Sequence, residues 1–152
     1  MLPLPPTHRL SPKKQLTLPR DAVGLAGLEQ VRALPHYMPG KADRRQRSPV
    51  VLIMSEQELR RRERRILEAA DRTPEDKLVL VQELNARAVQ LAIDDQRRIV
   101  LPQHLVDYLG LQRDALFVVT GDIVYLWNPE EFARWSNPAQ APTIDLTPYL
   151  IV

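Results

Sequence analysis

The chain repeats itself. Residues 8–21, HRLSPKKQLTLPRD, align with residues 91–104, LAIDDQRRIVLPQH, and residues 51–61, VLIMSEQELRR, align with residues 124–134, VYLWNPEEFAR. The two offsets are 83 and 73 residues, so the first copy carries about ten more residues between its matched parts. Two matches in the same order indicate a duplicated unit. In the first match Leu16, Leu18 and Pro19 lie over Ile99, Leu101 and Pro102. In the second, an apolar strand runs straight into a helix start. Ser55 with Glu58 and Asn128 with Glu131 form matched N-cap and N3 pairs, the latter with Pro129 at the first helical position.

The second copy has the cleaner pattern. Val89, Leu91 and Ile93 alternate with polar or small residues, as in a half-buried strand. The segment 94–97 has no apolar residue and reads as a turn, and Ile99–Leu101 reads as a strand that Pro102 ends, because proline cannot donate to a ladder. Residues 103–109 place Leu105, Val106 and Leu109 on one helical face, with Gly110 as the C-terminal cap. Residues 116–120 and 123–127 are strands around a Gly121-Asp122 hairpin signal, and a helix from Pro129 to Trp135 closes the unit. The order is strand, turn, strand, helix, strand, turn, strand, helix.

The first copy follows that order with interruptions. Pro12 falls inside its first turn, and Gly24 and Gly27 follow the segment after Pro19. Residues 35–49 hold three prolines, a glycine and the cations Lys41, Arg44, Arg45 and Arg47, which predicts a long basic loop in place of the tight hairpin. Between the copies, Leu59, Ile66, Leu67 and Ala70 make a narrow apolar stripe beside five arginines between Arg60 and Arg65. A second helix is expected from Thr73-Pro74 to about Ala86. The resulting division is a first half at 7–56, a helical connector at 57–85, a second half at 86–135, and a proline-spaced tail at 136–152 that is expected to be loose until bound.

Composition excludes several classes of function. There is no cysteine, hence no disulfide framework, thiolate metal site or cysteine nucleophile, and the three histidines are far apart in sequence. No apolar run is long enough to span a bilayer, and the first residues lack the charged and apolar regions of a secretory signal. There is no glycine-rich phosphate loop and no nucleophile–base arrangement, so no enzyme, cofactor, metal or small-molecule substrate is expected. The net charge of +2 conceals an asymmetry. Residues 1–48 carry nine Lys/Arg against three acids, 49–87 balance, and 88–152 carry four arginines against eight acids. A basic half on a near-neutral chain suits a polyanionic partner.

A tandem pair of such units, each with a turn leading into a strand that ends in proline, resembles the MraZ family of bacterial transcriptional regulators, which is built from two SpoVT/AbrB-type halves. The strongest segments are DDQRRIVLPQHLVDYLGL (94–111) and FVVTGDIVYLWNPEEFARW (117–135), preceded by TPEDKLVLVQEL. The resemblance covers roughly residues 7–135. It implies a β-rich α+β fold, a swapped-hairpin β-barrel with short helices outside. It also implies ring homo-oligomers that bind repeated elements in double-stranded promoter DNA ahead of the division and cell-wall gene cluster, mostly as repressors. The location it implies is cytoplasmic and nucleoid-associated.

The family turn reads close to D-x-x-G-R. Its Asp ties the turn, its Gly permits positive φ, and its Arg reaches guanine or phosphate. Here Asp94 and Arg98 match, with Arg97 at the glycine position, whereas the first copy has Ser11, Lys14 and Gln15 at the three positions. The resemblance therefore assigns DNA contact to Lys13, Lys14, Gln15, Arg97 and Arg98, and a turn-structuring role to Asp94. A non-glycine at positive φ costs about 1 kcal/mol, so both turns are expected to be reshaped. The four cations suit phosphates, and Gln15 suits adenine but not guanine. Two other readings stay open: a MraZ-like assembly or interaction module that has lost operator recognition, and an AbrB-type antitoxin whose tail wraps a toxin. Trp127 and Trp135, in the aromatic-rich segment 123–135, are expected to serve as core residues and as contacts between copies.

Overall fold

The computed structural model describes residues 5–137 and 146–150. The elements are β1 (Thr7–Arg9), β2 (Gln15–Thr17), a 3-10 turn (Val23–Leu25), β3 (Gln30–Pro39), β4 (Arg47–Met54), α1 (Glu56–Leu67) and α2 (Pro74–Arg87). The second half adds β5 (Val89–Ala92), β6 (Arg98–Val100), α3 (Gln103–Leu109), β7 (Asp114–Thr120), β8 (Ile123–Trp127) and α4 (Pro129–Ser136), followed by α5 (Thr147–Leu150).

The two copies are interleaved rather than side by side. A six-stranded antiparallel sheet runs β1-β7-β8-β4-β3-β5, and β2 pairs with β6 in a separate two-stranded ribbon. Thus β1 of the first half lies on β7 of the second, with Thr7 opposite Leu116, while β5 of the second lies on β3 of the first, with Val31 opposite Leu91. The hairpins of the two halves meet at β4–β8, where Ile53 is opposite Val124. Each half lends its first strand to the other's hairpin, which is the swapped-hairpin, β-rich α+β arrangement that the family resemblance implies. The exchange has a physical cause, since three- and four-residue strands cannot shield a hydrophobic face alone.

Both faces of the central strands are buried. Val51, Ile53, Val124 and Leu126 face a core closed by Leu16, Leu18, Ile99 and Leu101 from the ribbon and by Leu105 and Leu109 of α3. Val50, Leu52, Met54 and Trp127 face the other way, onto Leu59 of α1 and the rings of Phe132 and Trp135 in α4. That double burial explains the unbroken apolar run VVLIM in β4, which has no polar alternation.

Helix starts obey the capping chemistry. The Ser55 Oγ accepts from the Glu58 N–H at 3.1 Å and the Thr73 Oγ1 from the Asp76 N–H at 3.1 Å. Asn128 caps one residue earlier than its expected N3 partner, accepting from the Glu130 N–H at 2.8 Å. Its amide also donates to the carbonyls of Leu109 and Gly110, both at 3.0 Å, and so joins the start of α4 to the left-handed end of α3, where Gly110 has φ +67°.

Two expectations need correction. Residues 35–49 are not a loop, because β3 and β4 pair continuously from Arg32–Met54 to Pro39–Arg47, leaving only 40–46 as the hairpin tip. Pro35, Pro39 and Pro49 are accommodated because beyond Ala33 β3 pairs only with β4, and beyond Val51 β4 pairs only with β3; one side of each strand needs no donor there. The apolar stripe of α1 reduces to Leu59, since the helix ends at Leu67, which is half exposed. Trp127 joins the core as expected, 1% exposed against Phe132, and the Trp135 indole N–H donates to the Pro39 carbonyl at 2.9 Å. Leu78, Val79 and Leu80 on α2, a helix in which no residue is buried, are exposed. The tail reading falls on 138–145, outside the described residues, and on α5, where Tyr149 and Leu150 are exposed.

Candidate nucleic-acid interface

The β2–β6 ribbon lies on the repeat axis, with a turn at each end, and the two turns are built alike. The Ser11 N–H donates to the Gln15 carbonyl at 3.0 Å and the Asp94 N–H to the Arg98 carbonyl at 3.0 Å. The Lys14 N–H closes onto the Ser11 carbonyl at 2.9 Å, and the Arg97 N–H onto the Asp94 carbonyl at 3.1 Å. Each turn is then followed by one left-handed residue, Lys14 at φ +64° and Arg97 at φ +60°. An i to i+3 turn followed by a left-handed residue is a common three-residue hairpin connection with a bulge. The expected reshaping therefore does not occur. Cross-ribbon bonds hold the strained residues in place: the Leu18 N–H donates to the Arg97 carbonyl and the Leu101 N–H to the Lys14 carbonyl, both at 2.8 Å.

Side chains complete the two turns differently. The Asp94 Oδ1 accepts from the Gln96 N–H at 2.9 Å and the Arg98 N–H at 2.8 Å, and its Oδ2 receives the Arg98 Nε at 2.7 Å. Those bonds, led by the Arg98 backbone N–H, hold the Asp94 carboxyl below the usual aspartate range. Ser11 does the same backbone job with less, its Oγ accepting from the Gln15 N–H at 3.0 Å. The loss of motif in the first copy is thus a loss of charge and not of backbone geometry. Pro12 is no interruption either, because it occupies the second position of the turn, where its fixed φ fits.

The ribbon sorts its side chains by face. Leu16 and Ile99 point inward and are essentially unexposed, while Gln15, Thr17, Arg98 and Val100 share the outward face. In register, Gln15 is opposite Val100 and Thr17 opposite Arg98. Lys13 is exposed and Lys14 half-buried, and among the described residues neither they nor Arg97 has a carboxylate within ion-pair distance. Arg97 lies lower than its neighbours, with a buried Nε that has no hydrogen-bond partner among the described residues. Arg98 is engaged through Nε by Asp94, which leaves its two terminal amino groups to a further acceptor. The structure thus brings Gln15 and Arg98 together on one surface, puts Lys13 and Lys14 at one end of it, and packs Arg97 at the other.

Two other basic regions are separate from the ribbon. At the β3–β4 tip, Lys41 sits over the Trp135 ring with Nζ 4.7 Å from its centroid, and Arg45 pairs with Asp43 at 3.2 Å. In α1, Arg60 bridges Glu56 at 2.6 Å and Glu63 at 2.5 Å, and Arg61 reaches Glu58 and Asp122. Sequence reasoning missed Thr17 and Val100, whose outward placement follows from the period-2 alternation around Leu16 and Ile99. Among the described residues there is no group of three or more His, Asp or Glu side chains placed to hold a metal ion, and no helix is long and apolar enough to cross a membrane.

Interleaved halves, a shared ribbon and paired left-handed turns define the MraZ/AbrB-like class of fold. A family model described as "MraZ protein, putative antitoxin-like" matches residues 84–147. Over 77 residues the chain is 35% identical to the transcriptional regulator MraZ of Rickettsia rickettsii (strain Sheila Smith), and 34% identical to the proteins of the same name from Rickettsia africae (strain ESF-5) and Rickettsia felis (strain ATCC VR-1525 / URRWXCal2). Each match takes in 51% of this chain and 52% of the relative, so the chain spans about half the length of the curated relatives it matches. Over its second half the chain is similar to proteins of the MraZ family.

Proposed function

We propose that this chain is a DNA-binding transcriptional regulator of MraZ type. In this reading it acts in the cytoplasm on nucleoid DNA, binds repeated elements in the promoter of a division and cell-wall gene cluster, works mainly as a repressor, and is neither an enzyme nor dependent on a cofactor. The observation that carries the reading is the ribbon: a two-stranded surface with cationic turns at its ends and hydrogen-bonding side chains on its outward face. A two-stranded ribbon fits the major groove, Lys13, Lys14 and Arg97 suit phosphates, Arg98 suits guanine O6/N7, and Gln15 suits adenine N6/N7. The relatives' name, transcriptional regulator, supports the same class. Assembly into a ring is part of the proposal, and the exposed Leu78, Val79 and Leu80 of α2 offer an apolar surface for it. Linked copies reading spaced repeats gain by effective concentration.

Binding to the DNA upstream of its own gene, measured against random competitor and across salt, tests the proposal. Affinity is expected to fall steeply with salt. Arg98→Ala is expected to lose roughly 1–3 kcal/mol of preference for the upstream repeat, and Gln15→Ala to lose less. If Arg98→Ala separated operator from random DNA as well as wild type does, the ribbon would not be the reader and the interaction-module reading would replace this one. The antitoxin-like wording of the family model favours one further reading, a toxin-binding partner, which co-purification with the product of an adjacent small gene would support.

A further inference from the structure

Val100 is the one apolar side chain on the outward face of the ribbon. It is 54% exposed, while the other outward positions are Gln15, Thr17 and Arg98. It lies directly opposite Gln15 in the β2–β6 register. Opposed side chains in an antiparallel pair have Cβ atoms about 4.5–5.5 Å apart, so Gln15 and Val100 present one combined surface, a planar amide beside two methyl groups. Its counterpart in the first copy is Thr17, which keeps the β-branched shape and one methyl.

We infer that Val100 is a specificity-determining residue that contacts the C5-methyl of a thymine in duplex DNA, on or beside the A·T pair whose adenine Gln15 reads. The inference rests on the proposed DNA binding and deepens it. In the major groove adenine offers N7 and N6–H to a glutamine amide, and thymine offers a methyl that only an apolar group recognises. The minor groove shows no methyl, so the contact also fixes the groove. At the other end of the ribbon face, Arg98 faces Thr17. Gln15 and Arg98 stand on diagonal positions two residues apart along the ribbon, about 7 Å at 3.4 Å per residue. Base pairs also stack at about 3.4 Å, so the two positions read are about two base pairs apart. The repeat has a two-fold backbone, yet the ribbon demands an A·T pair at one end and a G·C pair at the other.

The test uses a duplex selected by the wild-type chain from a randomised pool, remade with deoxyuridine replacing one thymine at a time. Uracil differs from thymine only by the methyl group. Wild type is expected to bind one substituted duplex about fourfold more weakly, the fold-change for losing one buried methyl-sized contact. Val100→Ala is expected to bind the parent duplex several-fold more weakly and to be indifferent to uracil at that position. Val100→Thr, which keeps a methyl on a β-branched side chain, is expected to retain most of the sensitivity. Far-UV circular dichroism is expected to be unchanged, since the side chain is exposed. The inference is overturned if selection enriches no A·T pair two positions from a G·C pair, if wild type ignores every uracil, or if Val100→Ala keeps the wild-type sensitivity. Preference for the upstream repeat over random DNA, retained in those cases, leaves the proposed function standing. No binding even at low salt overturns both.

Discussion

Adjacent lysines in the first turn make opposite predictions for stability. Lys14 has φ +64°, whereas Lys13 is not among the positive-φ residues. A left-handed conformation costs an L-residue with a side chain about 1–2 kcal/mol, and glycine escapes that cost while adding about 0.5–1 kcal/mol of unfolded-state entropy to be lost. Lys14→Gly keeps the backbone bonds that define the site, from its own N–H to the Ser11 carbonyl and from the Leu101 N–H to its carbonyl. It also removes no ion pair among the described residues. The net is a gain of about 0.5–1 kcal/mol for Lys14→Gly and a loss of about 0.5–1 kcal/mol for Lys13→Gly. Urea unfolding midpoints at constant slope measure both. Each substitution deletes one cation, so if both lysines contact phosphates, each lowers the salt slope of DNA binding by about 1, and the pair separates backbone strain from charge. If Lys14→Gly destabilised the chain as Lys13→Gly does, the left-handed turn would be wrong, and with it the equivalence of the two ends of the ribbon.

Three further outcomes are expected. The folded-state pKa of Asp94 is depressed, so its contribution to stability is present above the usual aspartate value and is lost as pH falls through the lower folded value; Asp94→Asn is expected to flatten the acid limb of stability against pH, read from urea midpoints below about pH 4. Burial pushes the Tyr108 hydroxyl, which donates to the His36 carbonyl at 2.6 Å, up to about 12. Its contribution is present below the unfolded value and lost as pH rises through 12, so an ultraviolet titration is expected to show one late phenol that disappears in Tyr108→Phe. A Cβ on Gly40 would stand 2.4 Å from the Asp43 carbonyl oxygen, so Gly40→Ala is expected to open the β3–β4 tip, seen as faster proteolysis between 40 and 46 with little change in far-UV circular dichroism.

The fold was legible because a repeat is a statement about partners. The matches around Pro19 and Pro102, and around Ser55 and Asn128, locate equivalent strand and helix ends, and the shortness of each unit requires the two to share a sheet. The errors have local causes. Prolines at 35, 39 and 49 read as loop because the side of a strand that lacks a neighbour is a tertiary fact: beyond Ala33, β3 pairs only with β4. The equivalence of the two turns is hidden in residue identity but not in hydrogen-bonding capacity, since a serine hydroxyl satisfies the Gln15 N–H as the Asp94 carboxylate satisfies that of Arg98. The destination of Trp135 was illegible, since nothing in sequence says that its indole meets the Pro39 carbonyl 96 residues away.

The contrast between the two turns separates what holds this ribbon from what the ribbon presents. Backbone bonds across the turns and across the ribbon recur on both sides within a few tenths of an ångström, and the left-handed residues differ by 4° in φ. The side chains diverge at every outward position: Gln15 against Arg98, Thr17 against Val100, and Lys14 against Arg97. In a symmetric dimer of single units such divergence is impossible, because one gene product supplies both ends and the site it reads must mirror the protein's two-fold axis. Fusing the two units in one chain removes that constraint while keeping the geometry, since the hydrogen bonds that set the ribbon come almost entirely from backbone groups. Arg98, locked by Asp94, is a preorganised charge at one end, whereas Gln15 is neutral and Ser11 holds only its backbone. The chain is therefore polar along its ribbon, with an oriented guanidinium at one end and two lysines and an amide at the other.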